Sequence, residues 1–366
     1  MSDRKIFIVL GLSALGALAL GAFLADRALR NANDRVARTT AAAESAFGDS
    51  AARNDLQSAL DSLVLVAAGD SGRAGIAVRD VRYGVQLLAG SHDTTSGYPM
   101  MSVYKVPISL AVLADDAEGT IALTDTVDFR AEDVRAFHSP LSEAHPSGGI
   151  RLTIDSLVGL ALRTSDNAAS DLLLGIAGGP EGVNSRLRKL NIEGIRVDRS
   201  ERELAFDMLG VEGSVRDRAL TYAQWDSLSD ATPDERAAAA LDSFVNDARD
   251  SATPAAAATL FAGMATGALL PPPHTDRMLA ALRETASPPR LRAGIPEGWR
   301  VWSKSGSSLS AGGRTGAYND VALVELSGGR FVSIALFIAG SELANEELAA
   351  VARAVAEAVA RNHSGR

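Results

Sequence analysis

The order of secondary-structure patterns along this chain constrains its fold more than any other sequence feature. One helical and two strand patterns come first: Asp55–Ala68, Ala74–Arg79 and Val85–Ala89. A mostly helical stretch from residue 102 to about 268 follows. Three strand patterns and a final helical pattern come last: Trp299–Ser303, Tyr318–Leu326, Phe331–Ala339 and Glu342–Ala360. The two ends therefore predict one α/β lobe that an all-α lobe interrupts, and small ligands usually bind in the cleft between lobes.

The composition excludes several classes of protein. The 366 residues contain no cysteine, which excludes disulfide scaffolds, zinc ribbons and thiol nucleophiles. A net charge of −9 does not favour nucleic acid as a partner. Four of the 36 basic residues are lysine: Lys5, Lys105, Lys189 and Lys304. Because a buried lysine can lose its proton and arginine cannot, these lysines mark positions where arginine would not serve.

The N-terminus has the features of an export signal. Arg4-Lys5 precede the uncharged run Ile6–Ala25. This pattern predicts a cleaved signal peptide over residues 1–25 or a retained inner-membrane anchor through residues 6–25. Either one exports the remainder, so we expect a periplasmic or secreted protein. Residues 26–54 lack a strong apolar periodicity and predict a linker or frayed helix.

A serine and a lysine three residues apart lie at the first junction of the predicted lobes. An apolar stretch to Leu113 follows them, and we expect a helix to begin at Ser102. Positions i and i+3 share a helix face, so the Lys105 amine can reach the Ser102 hydroxyl. Free N–H groups at a helix N-terminus also favour an oxyanion. The pair predicts a nucleophilic serine, and an N-cap serine with a surface lysine is the alternative.

Two polar segments later in the sequence are also candidates for the cleft between the predicted lobes. Ser165-Asp166-Asn167 precedes the helical stretch Ala168–Ile176, where such residues also act as caps. The charged segment 198–204, D-R-S-E-R-E-L, contains Glu201. In a loop over the cleft this carboxylate can act as a general base for water, and a solvated surface loop is the alternative.

A third segment ends the predicted strand that begins near Trp299. It is Lys304-Ser305-Gly306, whose glycine allows a ligand to approach the strand backbone closely. The lysine can fix a substrate carboxylate or tune a neighbouring serine, and a surface lysine before a turn is the alternative. The five histidines have no metal-binding spacing, so we expect no metal ion.

The three segments in this order resemble a known family. S-x-x-K, S-D-N and K-[ST]-G are the signature of class A β-lactamases and penicillin-binding proteins. The chain resembles class A serine β-lactamases over roughly residues 55–363. Residues 198–204 resemble the omega-loop pattern D-R-x-E-x-x-L-N of that family, and further segments that match are Thr253-Pro254 and Arg292-Ala293-Gly294-Ile295-Pro296. Residues 98–105 and Ser139-Pro140 look closest to the longer-loop, extended-spectrum subgroup.

The resemblance implies an α/β (α+β) two-lobe serine β-lactamase/transpeptidase-like fold. Such a fold has a five-stranded antiparallel sheet flanked by helices and an all-α lobe. We expect a catalytic domain over residues 55–363, with the α/β lobe over about 55–100 and 269–363 and the all-α lobe over about 101–268. The implied partner is a small-molecule β-lactam. We expect no cofactor, no nucleic acid and no obligate oligomer, which makes the protein a monomer.

The resemblance also implies catalytic roles. Ser102 attacks the β-lactam carbonyl and is acylated, while Lys105 takes or relays its proton. Ser165, tuned by Lys304, passes a proton to the leaving nitrogen. Glu201 activates the water that hydrolyses the acyl-enzyme. Either Lys105 or Glu201 is the base for acylation.

The same resemblance implies how substrate is held. Asn167 would bind the substrate side-chain amide, and Ser305 and Arg314 would bind its carboxylate. Backbone N–H groups of Ser102 and Ser307 would form the oxyanion hole, with Gly306 leaving room for the substrate beside the strand.

One departure from the family pattern concerns deacylation. Ala205 stands where the pattern has the asparagine that helps glutamate hold water. Acylation is therefore better supported than turnover, and a replacement group is expected to hold the water with Glu201 and Ser102. Two alternatives stay open: a D,D-peptidase or transpeptidase, and a membrane-tethered penicillin-binding sensor that stays acylated.

Overall fold

The structure is a computed structural model that describes residues 27, 30, 31, 34 and 37–364. The predicted signal peptide or anchor within residues 1–25 lies outside this described part. Among the residues that the structure does describe, no helix is both long and apolar enough to cross a membrane.

An antiparallel sheet joins the two ends of the chain. The strands of the protein are Arg73–Asp80 (β1), Gln86–Gly90 (β2), Tyr98–Pro99 (β3), Thr126–Phe129 (β4), Ile150–Thr153 (β5), Ser251–Ala252 (β6), Arg300–Ser307 (β7), Ser310–Ala311 (β8), Arg314–Glu325 (β9) and Phe331–Ser341 (β10). The main sheet has the order β2-β1-β10-β9-β7, and β8 also pairs with β9. The predicted five-stranded antiparallel sheet is confirmed, with the two-residue β8 as an addition. Two small antiparallel pairs, β3 with β6 and β4 with β5, lie outside it.

Helices surround this sheet and fill the second lobe. They are residues 37–47 (α1), Ser50–Ala68 (α2), Lys105–Ala117 (α3), Pro140–Ala144 (α4), Ile154–Gly159 (α5), Asn167–Ile176 (α6), Gly179–Lys189 (α7), Glu201–Met208 (α8), Tyr222–Asp230 (α9), Asp234–Val245 (α10), Pro254–Thr266 (α11), Pro272–Arg283 (α12) and Asn345–His363 (α13). The helical stretch between the two sets of strands is therefore present as predicted.

The central strand β10 is buried on both faces, because helices cover each side of the sheet. Side chains alternate across a strand, so its even- and odd-numbered residues enter different cores. Ile334, Leu336 and Ile338 pack in the core that α2 and α13 complete. Ala335 and Phe337 pack in the core that α11 completes. This two-sided burial explains why β10 is a nearly continuous apolar run.

The expected boundary between the lobes near residue 268 needs correction. Helix α11, predicted within the all-α lobe, packs against β1 and β10 of the sheet. Helix α12, predicted within the α/β lobe, contacts α3 and the segment Leu160–Thr164 of the helical lobe as well as β7. The chain therefore crosses between lobes at both helices.

The expected linker over residues 26–54 also needs correction. Residues 37–47 are helical, and α2 begins at Ser50, before the predicted start at Asp55. Ala46 and Phe47 are fully buried in the core formed by α2, α13 and the sheet. Gly48 has a positive φ of 88°, which separates the two helices, and the Asp49 side chain caps α2. Three apolar residues of α1 are buried, Ala43, Ala46 and Phe47, and because two of them are alanines the apolar periodicity in the sequence is weak.

A long loop between Arg199 and Asp250 is the largest irregular feature of the helical lobe. The Arg199 guanidinium is buried and pairs with Asp250, Asp207 and Asp247 at 2.6, 2.6 and 3.1 Å. The loop contains α8, α9 and α10, and it has an apolar cluster of its own around Phe206 and Trp225. Helix α10 contacts β8 and β9, so the loop reaches across to the sheet edge beside the cleft.

Candidate active site

Ser102 and Lys105 adopt the predicted geometry in a tight turn. A 3-10 turn over Met101–Tyr104 leads into α3, so the α-helix begins at Lys105 and not at Ser102. The Lys105 Nζ lies 3.0 Å from Ser102 Oγ. Met101 has a left-handed φ of 49°, a strained backbone that the surrounding packing holds in place just before the serine.

The buried amine of Lys105 connects the other candidate residues. It donates to the Ser165 carbonyl oxygen at 2.8 Å and to the Asn167 side-chain oxygen at 2.7 Å. Its Nζ also lies 2.8 Å from a carboxylate oxygen of Glu201. The side chain has no solvent exposure, so these partners stabilise its charge away from water. Lys105 thus joins Ser102, the Ser165-Asp166-Asn167 segment and Glu201.

The Ser165-Asp166-Asn167 segment contains one residue that caps α6 and two residues that contact Lys105. Asp166 caps α6 by accepting from Ala169 N–H, and it also accepts from Leu141 N–H at 2.7 Å. Ser165 has a left-handed φ of 60°, which turns its side chain out of the preceding helical segment. Asp166 is therefore a structural residue, while its two neighbours face Lys105.

Lys304 lies on β7 on the other side of the cleft. Its Nζ is 2.8 Å from the Ser165 hydroxyl oxygen. Complete burial lowers the pKa of Lys304 well below its usual value, and the positive charge of Lys105 lowers it further. Lys304 thus gives up a proton more readily than a surface lysine.

Glu201 is the first residue of α8, inside the long loop. The Ser200 side chain caps the helix, and Asp171 of α6 accepts hydrogen bonds from the N–H groups of Glu201 and Arg202 at 2.6 and 3.2 Å. The Glu201 side chain is 6% exposed. Burial raises its pKa and the Lys105 charge opposes this rise. The carboxylate is therefore tuned towards the range where a general base works near neutral pH.

Gly306 brings β7 against the nucleophile turn. A side-chain carbon at this position would lie 2.5 Å from the Met100 carbonyl oxygen and 3.1 Å from the Ser102 nitrogen. Only glycine permits this approach, which places the backbone around Ser307 beside that of Ser102. Two N–H groups from neighbouring backbones are the arrangement that an oxyanion hole requires.

The structure does not bring Arg314 to the cleft. Its guanidinium pairs with Asp242 on α10, so it fastens the long loop to β9. The arginine in the cleft is Arg290, which is 6% exposed and was not selected from the sequence. It donates to the carbonyl oxygens of Gly306 and Asn319 at 3.1 and 2.8 Å and to the Ser307 hydroxyl.

A cavity of about 400 Å³ lies between these groups. Ser102, Ser165, Ser305, Gly306 and Arg290 line it. The pocket therefore presents hydroxyl groups, strand backbone and one guanidinium to a small ligand. Among the described residues, no group of three or more His, Asp or Glu side chains is arranged to hold a metal ion.

The site combines a serine beside a buried lysine, a second serine–lysine pair and a buried carboxylate. A serine activated by a neighbouring base is the arrangement found in serine hydrolases. A family model described as the β-lactamase enzyme family matches residues 55–362. The chain therefore belongs to the β-lactamase enzyme family, and the resemblance to class A serine β-lactamases is confirmed.

Solved structures agree with this assignment. An ancestral class A β-lactamase, that of the last common ancestor of Gram-negative bacteria, is 27% identical with a TM-score of 0.65, covering 84% of this chain and 99% of that one. A β-lactamase from Chitinophaga pinensis is 22% identical with a TM-score of 0.68, over 84% and 99% of the two chains. One from Xanthomonas campestris is 24% identical with a TM-score of 0.65, over 84% and 98%. The last two, at their lower identity, bear on the fold alone.

Proposed function

We propose that this protein hydrolyses the β-lactam amide of penicillins and cephalosporins through an acyl-enzyme on Ser102, with water activated by Glu201, and so confers antibiotic resistance. The observation that carries the proposal is the position of Lys105 Nζ, 3.0 Å from Ser102 Oγ and 2.8 Å from Glu201. A carboxylate beside the nucleophile serves water activation, which a hydrolase needs and a transpeptidase does not.

Acylation begins with proton transfer from the nucleophile. Lys105 passes a proton to Glu201 and takes the proton of Ser102, whose Oγ bonds to the lactam carbonyl carbon. The N–H groups of Ser102 and Ser307 stabilise the oxyanion. The ring C–N bond then breaks, and the nitrogen takes a proton from Ser165.

Lys304 restores the proton of Ser165. Its lowered pKa and the 2.8 Å contact to the Ser165 hydroxyl suit it to this transfer. The proton on Glu201 returns to Lys304 through Lys105 and Ser165, whose Nζ and Oγ atoms are 3.5 Å apart. This return leaves Glu201 ionised for the second half of the reaction.

Deacylation uses the ionised carboxylate. Glu201 takes a proton from water, and the water oxygen bonds to the ester carbonyl carbon. The bond from that carbon to Ser102 Oγ breaks, and the serine regains its proton from Glu201 through Lys105, which leaves Glu201 ionised again. The product carboxylic acid then leaves.

The substrate carboxylate is held by Ser305 and Arg290. Both line the cavity beside Ser102, and arginine matches carboxylate geometry through paired N–H groups. Asn167 is buried beside Lys105, with its side-chain oxygen 2.7 Å from the Lys105 Nζ, and it would bind the substrate side-chain amide. Arg290 takes the role expected of Arg314.

The test is a time course of chromogenic cephalosporin hydrolysis by the purified full-length chain. We expect sustained turnover that Ser102→Ala abolishes. Glu201→Gln is expected to form an acyl-enzyme that persists and is detected by its added mass, because general-base catalysis is worth about 10²- to 10⁴-fold. Deacylation of Glu201→Gln as fast as that of the wild type would contradict the role of Glu201.

A penicillin-binding protein that stays acylated is the second candidate, and Ala205 favours it. This residue is 2% exposed and packs in the apolar cluster of the long loop, so it offers no polar group to water. In the same time course, a burst near one equivalent of product that then stops would support this candidate.

The cellular location is part of the proposal. The run Ile6–Ala25 behind Arg4-Lys5 supports export, followed by signal cleavage or retention in the inner membrane. Fractionation of expressing cells, with N-terminal sequencing of the mature protein, distinguishes these outcomes. Activity confined to the cytoplasm would contradict export.

A further inference from the structure

Two hydroxyl groups near Glu201 are buried without hydrogen bonds. Within the part of the chain that the structure describes, the Tyr104 and Ser170 hydroxyls have no hydrogen-bond partner, whereas Glu201 Oε1 is ion-paired with Lys105 Nζ at 2.8 Å. Tyr104 is 1% exposed and Ser170 is fully buried. Buried polar atoms are nearly always paired, so two unpaired hydroxyls beside a buried carboxylate indicate groups that act together.

The phenol of Tyr104 lies close to both the Ser170 hydroxyl and the Glu201 carboxylate, just beyond direct hydrogen-bond geometry. Burial and the neighbouring Glu201 charge raise the pKa of Tyr104 well above its usual value. The phenol therefore keeps its proton and can act only as a donor to the carboxylate.

The elements that carry these groups also carry the nucleophile. Tyr104 belongs to the turn that holds Ser102, next to Lys105. Ser170 lies on α6, the helix whose first residue, Asn167, contacts Lys105. A small closure of α8 onto this pair would complete hydrogen bonds from Ser170 to Tyr104 and from Tyr104 to Glu201.

We propose that Tyr104, supported by Ser170, is the positioning residue that orients Glu201 for water activation in place of the asparagine that this chain lacks at position 205. This inference rests on the proposed function. Lys105 approaches the carboxylate from one side, and a donor from Tyr104 fixes its rotation. The water then binds to a carboxylate of fixed orientation, although the Ala205 side chain cannot hydrogen-bond to that water.

The experiment measures acylation and deacylation separately in Tyr104→Phe, using rapid mixing and the mass of the acyl-enzyme. We expect deacylation to fall about 10- to 100-fold, as for loss of a hydrogen bond to a charged group, while acylation stays within about 3-fold. Loss of the donor also raises the pKa of Glu201, so the acidic limb of the deacylation pH profile moves to higher pH. Packing alone would not move this limb.

Matched variants keep the result interpretable. Tyr83→Phe removes the same hydroxyl from an exposed tyrosine outside the site and is expected to leave both rates unchanged. Ser170→Ala is expected to slow deacylation by a smaller factor, and it replaces Tyr104→Phe as the test if that variant does not fold.

Three results would overturn the inference. Deacylation of Tyr104→Phe within 2-fold of wild type, with an unmoved acidic limb, would show that the phenol does not position Glu201. An equal fall in acylation and deacylation would show a general structural role. A wild-type protein that forms no acyl-enzyme with a β-lactam would contradict the proposed function itself, and the inference with it.

Discussion

Lys105 and Lys304 are two of only four lysines beside 32 arginines, and both are fully buried. An arginine at either position would stay charged and could not relay a proton. A planar guanidinium could not contact all four oxygen atoms that surround the Lys105 ammonium. The proposed mechanism therefore requires lysine at both positions.

Arg290 and Arg314 provide a direct comparison of two arginines. We expect Arg290→Ala to raise KM for a penicillin about 10- to 100-fold, because a charge-assisted hydrogen bond to the substrate carboxylate is lost. Arg314→Ala loses only a partly exposed ion pair with Asp242, so its KM should stay within about 2-fold of the wild type.

The measurement is kcat/KM for a penicillin and for its methyl ester, with thermal unfolding of each variant as a folding control. If Arg290 binds the carboxylate, its removal affects the free acid far more than the ester. A selective loss in Arg314→Ala instead would restore the role expected from the sequence.

Asp320 makes the stability of the folded protein depend on pH. It lies opposite Ser305 in the sheet and accepts from Leu291 N–H at 3.0 Å. Burial raises its pKa from 3.8 to about 6, despite the nearby charges of Arg290 and Lys304. A raised carboxyl pKa means that the folded state binds the proton more tightly than the unfolded state. The stability this group contributes is therefore present below pH 3.8 and lost as the pH rises through 6.

Asp320→Asn should therefore stabilise the protein at pH 8 by up to about 3 kcal/mol, the free energy that corresponds to this rise in pKa. The advantage should shrink towards pH 4, where the carboxyl is protonated in the folded state and about half protonated in the unfolded state. Urea unfolding of both proteins from pH 4 to 8 measures it. A difference that does not change with pH would contradict this assignment.

At the scale of the element, α8 depends on a neighbouring helix for its first turn. The Asp171 side chain of α6 accepts from the N–H groups of Glu201 and Arg202 and also pairs with Arg135. A carboxylate at a helix N-terminus accepts hydrogen bonds from the free N–H groups, and its negative charge interacts favourably with the positive end of the helix dipole. The position of Glu201 is thus set by a side chain that lies 30 residues earlier in the sequence.

Asp171→Ala should lower the free energy of unfolding by about 1–3 kcal/mol and slow deacylation more than acylation, because it leaves buried N–H groups unpaired. Asp171→Asn is the matched control, since its side-chain oxygen still accepts from an N–H group, and we expect a smaller effect. Denaturant unfolding and trapped acyl-enzyme decay measure both. Equal deacylation rates in Asp171→Ala and wild type would show that α8 needs no such cap.

Several elements were predictable because their signals are local. The strands of the sheet begin and end within a few residues of their predicted bounds, since each apolar run is bounded by turn residues. The contact between Ser102 and Lys105 follows from helical spacing alone. Arg290 was not predictable, because its proximity to Ser307 depends on tertiary packing across the cleft and not on any spacing in the sequence.

At the scale of the whole molecule, the first and last strands are neighbours. β1 pairs with β10 over eight residues, from Arg73 opposite Ala339 to Asp80 opposite Val332. The helical lobe is therefore an excursion between two halves of one sheet, and the cleft forms where the chain leaves and re-enters that sheet. The order of patterns predicts this arrangement, whereas the packing of α1 depends on contacts between opposite chain ends that no local pattern encodes.

The packing of α1 leads to a prediction far from the active site. Phe47 is fully buried, its ring meets that of His363 at a centroid distance of 6.0 Å, and its carbonyl oxygen accepts from the Asn362 side chain. Phe47→Ala should lower the free energy of unfolding by about 3–5 kcal/mol, the usual range for truncating a buried phenylalanine. Because these contacts lie on the far side of the sheet core from Ser102, kcat at low temperature should stay within about 2-fold.

Urea unfolding monitored by circular dichroism, with kcat measured on the same samples, tests this prediction. Leu65→Ala is the matched control, since Leu65 is 63% exposed on α2 and its truncation should change stability by less than about 0.5 kcal/mol. If Phe47→Ala were no less stable than Leu65→Ala, residues 37–47 would behave as the linker expected from the sequence. A parallel loss of kcat and stability would mean that the N-terminal helix also supports the catalytic cleft, which the separate cores on the two faces of the sheet argue against.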